Sequence, residues 1–231
     1  MQKTALIVAG GSGTRMRTSL PKQFIELGGS PILLRTIRRF LNYDPDLQVV
    51  VALPAAHLDL WESLILSALD AEQRQRVQAC TGGATRTLSV WAGLETLAAR
   101  VNSPAETLVA IQDGVRPFIS LAMLDDAYDK SADHGAAVAC VPVKASLRYQ
   151  QADGTTVAVD RSEYWEVQTP QTFRLDLIVD AFKKRPHDNF TDDASLYQAM
   201  GGKVVLSDGS YDNIKVTTPE DLFVAERILK R

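Results

Sequence analysis

Short apolar runs alternate along the chain with segments whose apolar residues recur every three or four positions. The first run, T-A-L-I-V-A over Thr4–Ala9, is uncharged and rich in strand-forming residues, as expected of a strand buried on both faces of a parallel sheet. Similar runs lie at Leu47–Leu53, Leu108–Ile111 and Ala136–Val141. This alternation predicts βαβ units around a parallel or mostly parallel sheet, and therefore an α/β fold.

Helix start signals stand at two places. Ser30 followed by Pro31 is typical of an N-cap and a first helical residue, and the helix it predicts would bury Leu33, Leu34, Ile37, Phe40 and Leu41. At the other end of the chain, the tetrapeptide T-P-E-D from Thr218 predicts the start of the last helix, because an acid at its third position is close to a capping box. Further helices are predicted at about 54–69, 85–100, 120–134, 174–185 and 192–200.

One polar, β-prone segment, Ser146–Arg161, interrupts the alternation. Asp153 and Gly154 stand where a tight hairpin turn is expected. An isolated two-stranded hairpin is only marginally stable in water, so the segment is expected to pack against something, with a partner subunit as the natural candidate. The alternative is an exposed hairpin without function.

Composition narrows the classes of partner. The chain has 231 residues, 45% of them hydrophobic and 23% charged, enough for one sizeable core, and a single domain over 1–231 is expected. The net charge of -3 shows no basic excess, so nucleic acid is not an expected partner and an anionic ligand must be met by local cations. The absence of a signal peptide or a transmembrane-length run predicts a cytoplasmic protein without a membrane partner.

Cys80 and Cys140 lie in apolar runs and are interpreted as reduced thiols rather than a disulfide or metal site.

The segment that follows the first strand carries the strongest chemical signal. It runs A-G-G-S-G-T-R-M-R-T-S-L-P-K-Q from Ala9 to Gln23. Glycines at 10, 11 and 13 let the backbone turn sharply, so that free N–H groups face a phosphate chain, while Arg15 and Lys22 supply positive charge. The segment therefore predicts a nucleoside triphosphate site, although a plain structural turn would have the same glycines.

Two common nucleotide motifs do not fit this segment. A Walker A loop needs lysine directly after its last glycine, whereas Lys22 lies nine residues after Gly13 and is followed by Gln23. A dinucleotide fingerprint would place Met16 where a third small residue must allow close helix packing. A hydride-transfer enzyme is therefore disfavoured.

Three further segments contain candidate site residues. The segment Q-D-G-V-R-P directly follows the strand T-L-V-A-I and places Asp113 at a carboxyl end of the sheet, where open α/β sheets bind ligands. Asp113 is interpreted as a ligand of Mg²⁺ or a ribose hydroxyl, or else as a helix cap or turn residue. Gly82-Gly83 with Thr85, Arg86 and Ser89 is able to present backbone groups and a hydroxyl to a base edge, or is an ordinary helix start. Lys215 is interpreted as a contact for a second phosphate or as a solvated lysine at a strand edge.

Six ordered motifs spread over nearly the whole chain resemble those of the 2-C-methyl-D-erythritol 4-phosphate cytidylyltransferases of the non-mevalonate isoprenoid pathway. The motifs are A-G-G-S-G-T-R-M with P-K-Q, G-G-A-T-R-T-L-S-V, Q-D-G-V-R-P, V-D-R-S-E-Y-W-E-V-Q-T-P-Q-T-F, T-D-D-A-S and D-N-I-K-V-T. The resemblance implies a Rossmann-like nucleotidyltransferase fold, with helices on both faces of the sheet and a protruding β-arm at about 144–165 that joins a homodimer. It also implies CTP, a small alcohol phosphate and Mg²⁺.

The resemblance assigns roles residue by residue. Arg15 and Lys22 would stabilise the pentacoordinate phosphorus, Arg161 and Lys215 would position the methylerythritol phosphate, and Asp113 would lie near the metal and the ribose. Of the substrate-binding residues that it implies, some lie at the cytosine and others around the second substrate. The cytosine set is Gly10, Gly83, Ala84 and Ser89, the second-substrate set is Arg116, Ser146, Thr169 and Thr191, and Ala9, Gly11, Gly13 and Gly114 are further binding positions.

The chain departs from the family pattern at three places. Ala84 stands where some members have an acid, which is harmless if its backbone makes the contact. Ala145-Ser146 replaces a common Asp-Thr pair and so keeps a hydroxyl without a carboxylate, and Gly10 and Gly114 replace alanines. The rival hypotheses are ribitol-5-phosphate cytidylyltransferase, which shares several of the motifs, and a non-catalytic nucleotide-binding protein of the same fold.

Overall fold

A seven-stranded sheet forms the centre of the computed structural model, which describes residues 1–11, 16 and 20–231. Among these residues the strands are, in chain order, β1 (Gln2–Val8), β2 (Glu26–Leu27), β3 (Ser30–Pro31), β4 (Gln48–Leu53), β5 (Val77–Thr81), β6 (Thr107–Asp113), β7 (Ala136–Pro142), β8 (Arg148–Gln150), β9 (Thr156–Ala158), β10 (Trp165–Arg174) and β11 (Val205–Asp208). The order in the central sheet is β11-β7-β10-β6-β1-β4-β5. Only β10 runs antiparallel to its neighbours, so the predicted mostly parallel sheet is confirmed.

Helices cover both faces of this sheet. In chain order the described helices are α1 (Ile32–Leu41), α2 (Leu58–Leu60), α3 (Ala71–Arg76), α4 (Arg86–Ala98), α5 (Leu121–His134), α6 (Leu175–Lys184), α7 (Asp193–Ala199) and α8 (Pro219–Leu229). Ala5 and Ile7 of β1 pack in one core with α1 and α5, whereas Leu6 and Val8 pack in a second core with α4, α6 and α7. Successive residues of a strand face opposite sides, so a wholly apolar β1 is buried on both.

The predicted cap at Ser30 is wrong. Gly28 and Gly29 both have positive φ, +56° and +74°, and form a tight turn that pairs β3 with β2. Ser30 and Pro31 are therefore extended, and α1 begins at Ile32 without a side-chain cap. Its predicted buried residues are nevertheless all in the core.

The other predicted helices are present within a few residues of their expected bounds, except that the segment 54–69 is not one continuous helix. The segment predicted at 54–69 is a succession of short turns, with 3₁₀ helix at Ala55–His57 and Leu66–Ala68 and a π turn at Trp61–Ile65 around α2. Helix α3 was not predicted. The capping box at Thr218 is confirmed, since Asp221 N donates to Thr218 Oγ1 and Thr218 N donates to the Asp221 carboxylate.

The polar segment is a hairpin of β8 and β9. Its turn closes through Gly154 N, which donates to Gln151 O at 3.0 Å, and Gly154 has the positive φ that this turn requires. Tyr149 and Val157 stand opposite each other on its strands, 63% and 42% exposed. We call residues 144–165 the arm.

Two smaller observations concern the cysteines and the length of the helices. Cys80 and Cys140 are both free thiols, half-buried and buried respectively, and burial raises the pKa of each, that of Cys140 to about 11. None of the helices in the described part of the chain has the length and apolarity needed to cross a bilayer.

Candidate active site

The carboxyl ends of β1 and β6 lie side by side and organise the site. Val8, the last residue of β1, pairs with Asp113, the last residue of β6, in the parallel register. Strand β1 lies between β4 and β6 in the sheet, and the chain continues from β1 to the β4 side. This is a point where the strand order reverses, and open α/β sheets bind ligands there. Gly10 and Gly11 therefore lie in the same cleft as the predicted carboxylate.

The first cleft opens over Gly10 and Gly11, which follow β1. The Lys22 side chain passes so close to Gly11 that a Cβ on this glycine would lie 3.0 Å from Lys22 Cε and 3.2 Å from Nζ. Gly11 thus allows the ammonium to approach the backbone. Predicted residues Gly13 and Arg15 lie outside the described residues. The first cleft is lined by Val8, Ala9, Gly10, Gly11, Lys22, Gln23, Gly83, Ala84, Thr85, Arg86, Ser89, Asp113, Val115 and Lys215.

The opposite wall of the first cleft is the start of α4. Thr85 caps this helix by accepting from Leu88 N, so the segment is a helix start as well as a cleft wall. A Cβ on Gly83 would lie 2.3 Å from Leu88 Cβ, so glycine is required there. A Cβ on Gly10 would meet only Ser89 Oγ at 3.5 Å, an ordinary contact.

Asp113 stands at the centre of a cluster of cations. Its carboxylate lies 2.9 Å from Lys215 Nζ, 3.5 Å from Arg116 Nε and 3.8 Å from Arg86 Nε. Burial alone would raise the pKa of Asp113, but Lys215, then Arg86 and Arg116, outweigh it and hold the pKa below its usual value. Asp113 is therefore ionised at neutral pH, and Lys215 is an ion-paired residue of the site rather than a solvated lysine at a strand edge.

A second cleft lies on the other side of this cluster. It is lined by Arg86, Asp113, Arg116, Val167, Gln168, Thr169, Gln171, Thr191, Asp192 and Lys215. Three of the four residues predicted around the second substrate are here, namely Arg116, Thr169 and Thr191. Asp113, Arg86 and Lys215 line both clefts, so the two cavities share one charged wall.

A buried amide network fixes this wall. Asn213 Nδ2 donates to Thr169 O at 2.8 Å and to Gln168 Oε1 at 3.1 Å, while Asn213 O accepts from Arg116 Nη1. Thr169 Oγ1 accepts from Asp113 N at 3.1 Å. The network joins the segment before α8 to β10 and β6, which places Lys215 next to Asp113.

The arm residues lie elsewhere. Ser146 and Arg161 line a separate groove on the arm and neither of the two clefts. Arg161 Nη1 donates to Lys144 O within the same arm. Within one described chain, these two predicted residues are not brought to the charged wall.

The sequence places Arg86 in a candidate segment but does not predict its role as a paired cation of the charged wall. Its guanidinium forms a bidentate pair with Asp193 of α7, with N–O distances of 2.9 and 2.8 Å, and it also faces Asp113. Burial opposes the charge, but Asp193 outweighs that effect and raises the pKa of Arg86. Arg86 is the arginine of the motif G-G-A-T-R, and Asp193 is the second aspartate of T-D-D-A-S. Nothing in the sequence indicates that these two motifs lie in contact.

The donor set of the site fits a magnesium ion shared with a phosphate chain. No cluster of three acidic, histidine or cysteine side chains that could hold a metal occurs among residues 1–11, 16 and 20–231, so these residues offer no complete metal cage. Among the described residues, the ion pair of Asp113 Oδ1 is the long one with Arg86 Nε at 3.8 Å, which leaves this oxygen able to ligate a cation. Mg²⁺ usually takes one or two carboxylates and completes its shell with water and substrate phosphates.

We predict that the contribution of Asp113 to stability depends on pH. Its folded pKa is lowered, so the carboxylate stabilises the fold above the unfolded pKa of about 4, and this stabilisation is lost as pH falls through the folded value. The difference in Tm between wild type and Asp113→Asn should stay constant from about pH 8 to 5 and shrink below about pH 4.

The exposed pair of Asp180 with Lys184 provides the control, since Asp180→Asn should change Tm little at any of these pH values. A difference between wild type and Asp113→Asn that persisted unchanged to pH 2 would contradict the ionised, cation-stabilised carboxylate.

The glycine turn, the carboxylate with its cations and the paired clefts on a mostly parallel sheet define a Rossmann-like nucleotidyltransferase. The family model for 2-C-methyl-D-erythritol 4-phosphate cytidylyltransferase matches residues 3–231. The chain belongs to that family.

Individual relatives agree with this assignment. The protein named 2-C-methyl-D-erythritol 4-phosphate cytidylyltransferase in Bacteroides thetaiotaomicron is 40% identical over 231 residues, and the match covers 99% of this chain and 100% of the relative. The protein of the same name in Porphyromonas gingivalis is 42% identical over 229 residues, and the match covers 99% of this chain and 98% of the relative. The crystal structure of 4-diphosphocytidyl-2C-methyl-D-erythritol synthase from Anaerococcus prevotii has a TM-score of 0.83 at 28% identity and covers 100% of this chain and 96% of that one. The cytidylyltransferase from Thermus thermophilus has a TM-score of 0.76 at 30% identity, with 100% of both chains covered.

Proposed function

We propose that this enzyme transfers the cytidylyl group of CTP to 2-C-methyl-D-erythritol 4-phosphate, giving 4-CDP-2-C-methyl-D-erythritol and pyrophosphate. The observation that carries the proposal is the shared wall of Asp113, Arg86 and Lys215, which lines both clefts. The first cleft, with the glycine turn and Lys22, holds CTP. The second holds the alcohol phosphate.

The reaction needs positioning more than proton transfer. A phosphate oxygen of the acceptor attacks the α-phosphorus of CTP, the new P–O bond forms, and the bond to the β-phosphate breaks with its electrons going to pyrophosphate. The attacking phosphate monoester is already ionised at neutral pH, so no general base is required. Lys22 and Lys215 bring the two polyanions together and offset charge that develops in the transition state.

The hydroxyl of Ser89 gives the first cleft a preference for cytosine. Ser89 Oγ donates its only proton inward, to Thr85 O at 2.9 Å or Gly83 O at 3.2 Å. Its oxygen can therefore only accept from a ligand. The exocyclic amine of cytosine is a donor, whereas uracil has a carbonyl at the same position, so this arrangement favours CTP over UTP.

Asp113 is the residue that would hold Mg²⁺, together with phosphate oxygens of CTP. The ion would supply additional positive charge at the triphosphate. Asp113 also orients Lys215 through their 2.9 Å ion pair. The carboxylate thus fixes the position of the lysine that faces the acceptor.

We also propose a homodimer formed through the arm. The arm exposes an apolar cross-strand pair, Tyr149 and Val157, together with Tyr164 and Trp165, each between 42% and 63% exposed. A two-stranded hairpin with such a surface gains stability by packing against another chain. Since Ser146 and Arg161 do not line the clefts of their own chain, a second copy would bring them to an acceptor phosphate.

We predict that Tyr149→Asp combined with Val157→Asp converts the dimer to a monomer, because two charges in a dry interface would lose their hydration. Sedimentation velocity at micromolar concentration measures the change. Phe223→Ser, at a 72% exposed apolar residue of α8, should leave the dimer intact. A wild-type protein that sediments as a monomer would contradict the arm interface.

The proposed reaction can be followed by ³¹P NMR of CTP, Mg²⁺ and methylerythritol phosphate incubated with the protein. We expect the acceptor phosphomonoester signal to be replaced by a pair of coupled diphosphate signals, while free pyrophosphate accumulates. Release of CMP or CDP without such a pair would refute cytidylyl transfer.

Ribitol-5-phosphate cytidylyltransferase, the rival suggested by shared motifs, is not favoured by the relatives, which bear the methylerythritol name over nearly their whole length. A non-catalytic protein is disfavoured by the intact charged wall. We propose the cytoplasm, where CTP is available, as the location of the enzyme.

A further inference from the structure

Gln23 is a fully buried amide directly after Lys22 in the wall of the first cleft. Its Nε2 donates to the Ala9 carbonyl oxygen at 2.7 Å, and the same nitrogen lies 3.2 Å from His57 Nδ1. The Ala9 oxygen can only accept, so turning the amide over would place two oxygens against each other. The orientation of the amide is therefore determined by Ala9.

This orientation also determines the state of His57. The second hydrogen of Gln23 Nε2 points to Nδ1, which must accept, so the imidazole is neutral and carries its proton on Nε2. The His57 ring meets Phe24 edge-on, with ring centroids 5.9 Å apart. Since His57 ends the turn after β4, and Ala9 follows β1, Gln23 ties its own turn to the ends of two parallel strands.

The turn held in this way contains Lys22. Residues Lys22–Phe24 form one 3₁₀ turn, closed by the bond from Phe24 N to Pro21 O at 2.9 Å. From that turn the Lys22 side chain reaches over Gly11, close to where phosphates would lie. The backbone from which Lys22 projects is thus fixed by the neighbouring amide.

Burying the Gln23 amide costs free energy, which indicates that this side chain does more than fill space. Gln23 Oε1 is buried and has no hydrogen-bond partner in the described part of the chain. An apolar side chain of the same length would fill the space without leaving a buried oxygen unpaired. What such a side chain could not do is bind Ala9 and His57 at once.

We infer that Gln23, held by Ala9 and His57, is a positioning residue that aims the Lys22 ammonium at the triphosphate over Gly11. This inference rests on the proposed function of Lys22. Gln23 touches no reacting atom and acts only through its neighbour.

Gln23→Met tests the inference, because methionine keeps the length and the apolar volume of the side chain but loses both hydrogen bonds. We expect kcat to fall between about 10-fold and 100-fold with the KM for methylerythritol phosphate nearly unchanged, since small misplacements of a catalytic group have effects of this size. His57→Asn, which retains an acceptor near the position of Nδ1, should keep more activity than His57→Phe.

Thr4→Val is the matched control. It removes one buried bond, from Thr4 Oγ1 to Leu108 O at 2.8 Å, on the same strand β1 but away from the cleft. We expect a loss of Tm comparable to that of Gln23→Met and an unchanged kcat. Equal losses of kcat in both variants would assign Gln23 to general stability and overturn the inference.

A double-mutant cycle with Lys22→Ala separates positioning from an independent role. If Gln23 acts through Lys22, the variant carrying both Lys22→Ala and Gln23→Met should be within about threefold of Lys22→Ala alone. Losses that multiply would overturn the inference.

A wild type without turnover would refute the proposed function instead, and the inference about Gln23 would then be tested by crystal structures of wild type and Gln23→Met. If Lys22 Nζ occupies the same position over Gly11 in both structures, the inference is overturned. If Lys22 Nζ is displaced in Gln23→Met, the inference is supported.

Discussion

Lys22→Ala is expected to lower kcat by about three orders of magnitude. Its ammonium lies over the Gly11 backbone in the first cleft, where the triphosphate of CTP would bind. A cation aimed at a phosphoryl group that gains charge in the transition state contributes roughly 10³-fold or more in related phosphoryl transfers, which is about 4 kcal/mol. Steady-state pyrophosphate release measures the loss.

The fold should tolerate this change, because a partly exposed lysine in a cleft wall contributes little to stability. Lys130→Ala is the control, since it removes a lysine that pairs with Asp126 at 2.9 Å on α5 and lines neither cleft. Retention of more than about a third of wild-type turnover by Lys22→Ala would refute its role as a transition-state cation.

Lys215→Met is expected to have the second largest effect, lowering kcat/KM for the acceptor by about 100-fold or more. The lysine is 41% exposed in its side chain, lies 2.9 Å from Asp113 and faces both clefts, so methionine removes the charge that would bridge the two substrates. Calorimetric titration of CTP alongside steady-state kinetics separates nucleotide binding from acceptor use.

Lys184→Met provides a matched comparison, because Lys184 also forms a close ion pair, with Asp180 at 2.6 Å, but on the surface of α6. It should leave kcat/KM unchanged. If Lys215→Met weakened CTP binding while the kinetic constants for the acceptor stayed constant, Lys215 would belong to the nucleotide site alone.

Features encoded by neighbouring residues were predictable from the sequence. The apolar strand β1, the glycine turn after it and the capping box at Thr218 each depend on a few consecutive residues, and the strand and the cap are confirmed. The position of Asp113 at a strand end followed from the same local pattern. The turn at Gly28-Gly29 is equally local, but Ser30-Pro31 beside it also matches the pattern of a helix start, and the structure forms only the turn.

Features that depend on distant residues were not predictable. Strand β10 contains glutamine, glutamate, threonine and proline, and becomes a central antiparallel strand only because it lies between β6 and β7. Arg86 gains its role from Asp193, which is 107 positions away in sequence. Gln23 likewise depends on His57, which only the packing of two strand ends brings within reach.

The arm illustrates a third case, in which the sequence predicts an element without its environment. The hairpin and its turn were predicted from polar alternation and Asp153-Gly154, and the structure has both. The sequence of the arm does not encode the surface on which it would pack, which the proposed dimer would supply. The roles of Ser146 and Arg161 therefore stay predictions that depend on the proposed dimer.

The central claim, that the two clefts hold CTP and methylerythritol phosphate for transfer across one charged wall, is tested most directly by acceptor competition. Purified wild-type protein is given CTP and Mg²⁺ with either 2-C-methyl-D-erythritol 4-phosphate or ribitol 5-phosphate, and kcat/KM is measured by pyrophosphate release. We expect methylerythritol phosphate to be preferred by about two orders of magnitude, as is typical of a site whose polar groups match one substrate's hydroxyls. Equal use of both acceptors, or a preference for ribitol 5-phosphate, would contradict the account.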